Sequence, residues 1–167
     1  YLFQDAFSAL DPTFSVYSCI KEVLDSAGEI QDEKKTRDKI LNLLALVKLD
    51  ESILERRSYQ LSGGQRQRVN LARGLATDAN LLICDEITSG LDLLVQYDII
   101  RLLKEIGREK SIVFISHNIS LVKYFCDRII IMHSGKIIEE GRNPFIFTEP
   151  KNDYTKKLIN AIPKLHY

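Results

Sequence analysis

In the run Leu61-Ser62-Gly63-Gly64-Gln65-Arg66-Gln67-Arg68, a hydroxyl and two glycines stand at the head of a segment of helical composition. Glycines let a backbone approach a ligand closely. The start of a helix offers free N–H groups and the positive end of its dipole, which together suit a phosphate. Ser62 can add its hydroxyl. The same spacing makes an ordinary capping box, because Ser62 and Gln65 stand three apart. Generic helix physics alone favours that plainer reading. Further on, the apolar run Leu81-Leu82-Ile83-Cys84 ends in Asp85-Glu86. An acid at a strand tip can hold Mg2+ directly or through water. A second acid beside it can polarise an attacking water, a role worth about 10²–10⁴ in rate. The plainer alternative is a buried strand that ends in a solvated acidic turn. Asp92, after Ser89-Gly90-Leu91, suits a turn and a helix N-cap. His117 follows Ser116 at the end of another apolar run, and a lone histidine is more often structural. Gln4, near the front, is a weak signal by itself.

The elements that must position these residues follow from periodicity. Phe14 to Ala27 reads as a first helix, broken by Gly28. Glu33 to Val47 follows, with Ile40, Leu43, Leu44 and Val47 at the spacing of one helical face. A third helix opens at Ser62 and runs to about Ala76. From there short apolar runs alternate with helices. The runs are Asn80 to Asp85, Ser111 to Ile115 and Arg128 to Met132. The helices are Leu93 to Arg108, with Val95, Ile99, Leu102, Leu103 and Ile106 on one face, and Asn118 to Cys126. This alternation predicts βαβ units and a parallel sheet. Ser134-Gly135 predicts a tight turn into Lys136 to Glu140 and a hairpin. Tyr154, Leu158, Ile159 and Ile162 mark a last amphipathic helix. In a parallel sheet, ligands bind beyond the carboxyl ends of the strands. Those ends carry Asp85-Glu86 and Ser116-His117.

Composition sets the bounds. The 167 residues fit one domain with a real core. Lys plus Arg number 23 and Asp plus Glu 23, so charge gives no support to a nucleic-acid partner. Cys19, Cys84 and Cys126 are scattered, without a C-x-x-C pair, which argues against a disulfide framework or a zinc site. No apolar run reaches the length needed to cross a bilayer. Work at a membrane would be that of a peripheral partner.

Taken in order, these motifs resemble the ATP-hydrolysing subunits of ABC transporters. Phe3-Gln4-Asp5 resembles the Q-loop, Leu61 to Arg68 the signature motif and Leu81 to Glu86 a Walker B segment. Ser89 to Asp92 resembles the D-loop, and His117 the H-loop switch histidine. The resemblance covers the whole chain. It implies an α/β fold: a P-loop NTPase-like (RecA-like) parallel sheet with helices, plus an ABC α-helical subdomain. The parts would be about 12–76 for the helical subdomain, about 77–143 for the RecA-like core part and about 144–167 for a C-terminal helical tail. It implies ATP and Mg2+ as cofactors. ATP would lie between two such domains, so the partner is a second ABC ATPase domain, in a homo- or heterodimer. Ser62, Gly63, Gly64 and Gln65 would meet the γ-phosphate of the partner's nucleotide. Asp85 would hold the metal, and Glu86 would be the catalytic base. Gln4 would sense the phosphate, serve the metal and touch the membrane subunit. His117 would contact the γ-phosphate, and Asp92 would communicate across the dimer.

There are departures. No G-x-x-x-x-G-K-[ST] run exists, so the P-loop and its lysine are missing. Tyr1 is not a natural start, and the chain reads as a partial domain cut just before Gln4. The 167 residues alone are expected to be inactive. Ile87 and Ala6 stand where proline is usual.

Gln4 to Pro12, together with Glu139-Glu140-Gly141, Ile146-Phe147, Pro150, Tyr154-Thr155 and Ala161-Ile162-Pro163, is similar to the import ATPases for dipeptides, oligopeptides and nickel. That implies permease subunits in the membrane and, indirectly, an extracytoplasmic solute-binding protein. The place implied is peripheral, on the cytoplasmic face of the inner membrane. The alternatives are a soluble ABC ATPase of translation or DNA repair and a non-catalytic remnant without a P-loop.

Overall fold

The computed structural model describes residues 1–2, 10–28 and 32–161. The chain divides into two compact units, Tyr1–Ile115 and Ser116–Tyr167.

The first unit begins with a helical part. Helix α1, Val16–Ser26, starts after Ser15, whose Oγ accepts from the Ser18 N–H at 3.2 Å. That cap explains why the helix begins two residues after the expected Phe14. It buries Val16, Cys19, Ile20 and Leu24. Helix α2, Glu33–Leu46, is capped by Asp32. Its expected apolar face is buried, with Ile40, Leu43 and Leu44 joined by Val47 just past the end. Lys48 then takes a left-handed φ of 58° and the Leu49 N–H donates to Leu44 O at 2.9 Å, which closes the helix.

Helix α3, Gly63–Ala76, is the central element of this unit. It buries Val69, Leu71, Ala72, Leu75 and Ala76. Each large apolar side chain of this kind contributes about 1.5–3 kcal/mol. The Arg73 Nε donates to Cys19 O at 3.1 Å and ties α3 to α1. The Arg68 Nη1 donates to Val47 O at 2.9 Å and ties it to the end of α2.

Strand β1, Leu81–Asp85, pairs in parallel with β2, Ser111–Ile115, in register from Leu81↔Ser111 to Asp85↔Ile115. Helix α4, Leu93–Ile106, connects them and buries Ile99, Ile100, Leu102 and Leu103. On its other edge β1 meets Leu2, which bridges in parallel to Cys84. The parallel arrangement expected for the first two apolar runs is therefore present.

The second unit is built on a hairpin. Helix α5, Ile119–Phe125, leads into β3, Arg128–His133, which pairs antiparallel with β4, Lys136–Arg142. This is the hairpin expected from Ser134-Gly135, and among the described residues the third apolar run pairs with the strand that follows it, not with β1 or β2. Ser134 and Gly135 both have positive φ, 49° and 75°, the two-residue geometry that reverses a chain at once. Ile129 and Ile131 pack with Ile146 of helix α6, Phe145–Thr148, and with half-buried Val122, Cys126 and Leu158. Helix α7, Asp153–Asn160, closes the unit. The expected tail residues Ile162 and Pro163 lie outside the described residues. Among the described residues no helix is long and apolar enough to cross a membrane.

Candidate functional site

Ser62 is the N-cap of α3. Its Oγ accepts from the Gln65 N–H at 3.2 Å, and Gln65 Oε1 accepts from the Ser62 N–H at 3.0 Å. The capping box is thus formed. It does not exhaust Ser62, whose O–H can still donate. Arg66 stiffens the approach to the helix, its Nη1 donating to Leu61 O at 2.7 Å and Ser58 O at 3.3 Å. The two glycines have a packing reason as well as a ligand reason. A Cβ on Gly64 would meet Val95 Cγ1 at 2.8 Å, and one on Gly63 would meet Leu91 Cδ2 at 3.2 Å. The start of α3 is pressed against the turn before α4 and the first turn of that helix.

That turn is tied to the tip of β1. Asp85 is the last residue of the strand and is half-buried. Glu86 follows with φ 51°, a left-handed conformation that costs a non-glycine residue about 1–3 kcal/mol. Its N–H donates to Ile115 O at 2.9 Å, and its own carbonyl accepts from the Ser89 N–H at 2.9 Å. Ile87 and Thr88 bury themselves beneath. Asp92 then caps α4, accepting the Val95 N–H at 3.0 Å, and Gln96 Nε2 donates to Leu91 O at 2.9 Å. One continuous hydrogen-bonded turn therefore runs from the strand tip to the helix start. Asp85, Glu86 and Asp92 stand along it, and its Leu91, with Val95 of α4, packs against Gly63 and Gly64.

Asp85 has a further partner. The Tyr1 hydroxyl donates to its Oδ2 at 2.5 Å. That bond to the carboxylate raises the pKa of the Tyr1 phenol. Cys84, fully buried just before, has its thiol pushed up to about 12 by burial, so it is no nucleophile. Among the described residues no group of three or more His, Cys, Asp or Glu could hold a metal. A single tip carboxylate does fit Mg2+ that takes its other ligands from phosphate and water, the usual habit of that ion.

His117 belongs to the second unit. It is exposed, between Ser116, whose Oγ accepts the Asn118 N–H at 3.1 Å, and Asn118, which caps α5. Gln4 lies outside the described residues. Sequence reasoning placed Val95 on the apolar face of α4 and Leu91 in the turn before Asp92, but assigned neither of them, nor Tyr1, to the site. Nothing in the local pattern of Leu91 or Val95 marks them as neighbours of glycines about thirty residues away. A polar aromatic ahead of Leu2-Phe3 was the available sign for Tyr1.

The profile of the ABC transporter family matches residues 1–89. The chain is 40% identical over 166 residues to the oligopeptide transport ATP-binding protein OppF of Lactococcus lactis subsp. lactis, covering 98% of this chain and 52% of that protein. It is 37% identical over 164 residues to the dipeptide transport ATP-binding protein DppF of Lactococcus lactis subsp. cremoris, covering 97% and 53%. It thus spans about half the length of the curated relatives it matches. Among solved structures, it resembles cbiO1 from Clostridium perfringens, part of the ABC transporter complex cbiONQ. The TM-score there is 0.76 at 30% identity, over 97% of this chain and 63% of that one. It also resembles the ATP-binding cassette MJ0796 in a dimeric post-hydrolysis state bound to ADP and Pi. That TM-score is 0.72 at 28% identity, over 84% and 61%. The strands and helices described above are thus part of a P-loop NTPase-like cassette, and the chain belongs to the ABC transporter family.

Proposed function

We propose that this chain is part of a nucleotide-binding subunit that hydrolyses ATP to drive solute import. The solute class is peptide, as in the names of the relatives, with nickel or a metal chelate the other member of the same group. The observation that carries the reading is the tip of β1. There Asp85 and the left-handed Glu86 stand side by side on a turn fixed by Ile115 and Ser89. In this reading Asp85 is the carboxylate for the Mg2+ of ATP. Glu86 takes the proton from the attacking water. Ser62, Gly63, Gly64 and Gln65 address the γ-phosphate of a nucleotide held by a second ABC ATPase domain. Asp92 sits where the two domains communicate. His117 and Gln4 contact the γ-phosphate of the chain's own nucleotide, and Gln4 also serves the metal. Residues from about 12 to 76 act as the helical subdomain, about 77 to 143 as core and about 144 to 167 as tail. The subunit works on the cytoplasmic face of the membrane, against permease subunits and indirectly with a solute-binding protein.

The test is Glu86→Gln in the complete transporter. It should retain bound ATP while steady-state hydrolysis falls by about 10²–10⁴. Near-wild-type turnover would sink the assignment of Glu86 as base.

A further inference from the structure

A carboxylate at a strand tip can meet a cation through either oxygen, and which one it offers depends on what holds the other. Leu2 runs beside β1, its N–H donating to Ile83 O at 2.8 Å and its carbonyl accepting from the Asp85 N–H at 3.0 Å. The Leu2 side chain is buried beside Gly74 of α3, 2.8 Å from where a Cβ on that glycine would stand. Side chains alternate along an extended segment, so Tyr1 projects to the opposite face. There its hydroxyl reaches Asp85 Oδ2 at 2.5 Å, across 84 residues of sequence.

We infer that Tyr1 is a positioning residue for Asp85: its hydroxyl holds Oδ2, so that Oδ1 is the oxygen presented to a divalent cation or to water bound on it. This rests on the reading of Asp85 as the cation's carboxylate. The chemistry supports it in three ways. An O–H···O⁻ bond at 2.5 Å lies at the short, strong end of the hydrogen-bond range. The last torsion of an aspartate is broad, so an unheld carboxylate samples many orientations. Among the described residues Tyr1 is its only side-chain partner. A lysine or arginine in the same place would neutralise Asp85 and compete with the cation. A phenol orients the carboxylate and leaves its charge.

The experiment uses Tyr1→Phe, Asp85→Asn and the double variant in the complete transporter. Mn2+ binding in the presence of ATP is read by electron paramagnetic resonance. ATP binding in EDTA is read separately. Tyr1→Phe should raise the half-saturating Mn2+ concentration by about tenfold, the scale of one lost hydrogen bond to a charged group. Metal-free ATP binding should stay as in the wild type. The double variant should be no worse than Asp85→Asn. An unchanged Mn2+ requirement in Asp85→Asn overturns the metal reading itself, and the inference with it. A raised requirement in Asp85→Asn with none in Tyr1→Phe overturns the role of Tyr1 alone. So do additive effects in the double variant. A fall in thermal midpoint for Tyr1→Phe with unchanged Mn2+ binding would make the bond merely structural and overturn the inference too.

Discussion

Ser62 and Asp92 begin their helices from nearly the same backbone conformation, φ −65° and ψ 163° at one, φ −65° and ψ 158° at the other. Each accepts the N–H three residues on, at 3.2 Å and 3.0 Å. The two starts even touch, through Gly64 and Val95. Their electrostatics differ. α3 is capped by a neutral hydroxyl and has no acidic residue in its first turn. The positive end of its dipole is left for another anion. α4 carries its own carboxylate at the cap, which satisfies that field locally. Equal geometry with unequal charge separates a helix start suited to phosphate from one suited to holding a turn.

The sharpest way to break this comparison is to give α3 the cap of α4. Ser62→Asp keeps an acceptor for the Gln65 N–H, so the thermal midpoint should hold or rise. In the function proposed above, the new carboxylate would face the phosphate of the partner's nucleotide. Turnover of the assembled transporter should fall by about 10²-fold or more, the scale of a lost oxyanion donor. Nucleotide binding to the chain's own site should remain. Full turnover in Ser62→Asp would mean that the start of α3 meets no phosphate.

The contact between the two starts comes next. Gly64→Ala gains helix propensity of about 0.5–1 kcal/mol. It also drives a methyl to 2.8 Å from Val95 Cγ1, and a β-branched side chain has few rotamers to escape with. Overpacking of about 1–3 kcal/mol should win, leaving a net loss near 1 kcal/mol in denaturant unfolding. Adding Val95→Ala should turn the loss at Gly64 into a gain. If Gly64→Ala is stabilising by itself, the two helix starts are not in firm contact. Smaller again is the cap of α4. Asp92→Ala should cost about 1 kcal/mol and Asp92→Ser only a few tenths. A large loss in Asp92→Ser would show that charge at this position, and not only the cap, holds the turn.

Much of this was legible in local pattern. The spacing of Ile40, Leu43, Leu44 and Val47 gave a buried face, and the capping residues Ser62 and Asp92 stood in plain view. The acidic pair after four apolar residues marked the strand tip. What stayed hidden depends on contacts distant in sequence. Tyr1 reaches Asp85 across 84 residues, and no periodicity encodes that. The left-handed φ of Glu86 follows from the turn that Ile115 and Ser89 pin, not from the preference of glutamate. An apolar run states that a strand is buried but not which strand it pairs with; for β3 the Ser134-Gly135 turn supplied that information. On α7 the expected apolar face is also altered. Thr155 is the fully buried residue, and Tyr154 stays partly exposed with its ring stacked 4.0 Å from His133. A short helix takes its rotation from what fastens its ends.

That fastening supplies a third kind of helix start and the smallest expected effect. α7 is capped by Asn152, but a carboxylate from another element also serves it. Glu139 of β4 accepts the Lys151 N–H at 2.8 Å and the Asn152 N–H at 3.0 Å. The hydrogen bond from Lys151 is the main reason that the Glu139 carboxyl is held below its ordinary 4.5. A carboxyl whose folded pKa is lowered adds stability that is present above the unfolded value. That stability is lost as pH falls through the folded one. Wild type should therefore exceed Glu139→Gln in stability at neutral pH, by about 1 kcal/mol or less for so exposed a group. The difference should shrink as pH drops below 4.5. Denaturant unfolding of both proteins across that range reads it directly. A difference that is independent of pH would show that the side chain acts at α7 by shape and neutral hydrogen bonding. The charge supplied to this helix from outside would then count for nothing, in contrast to the carboxylate that Asp92 places at the start of α4.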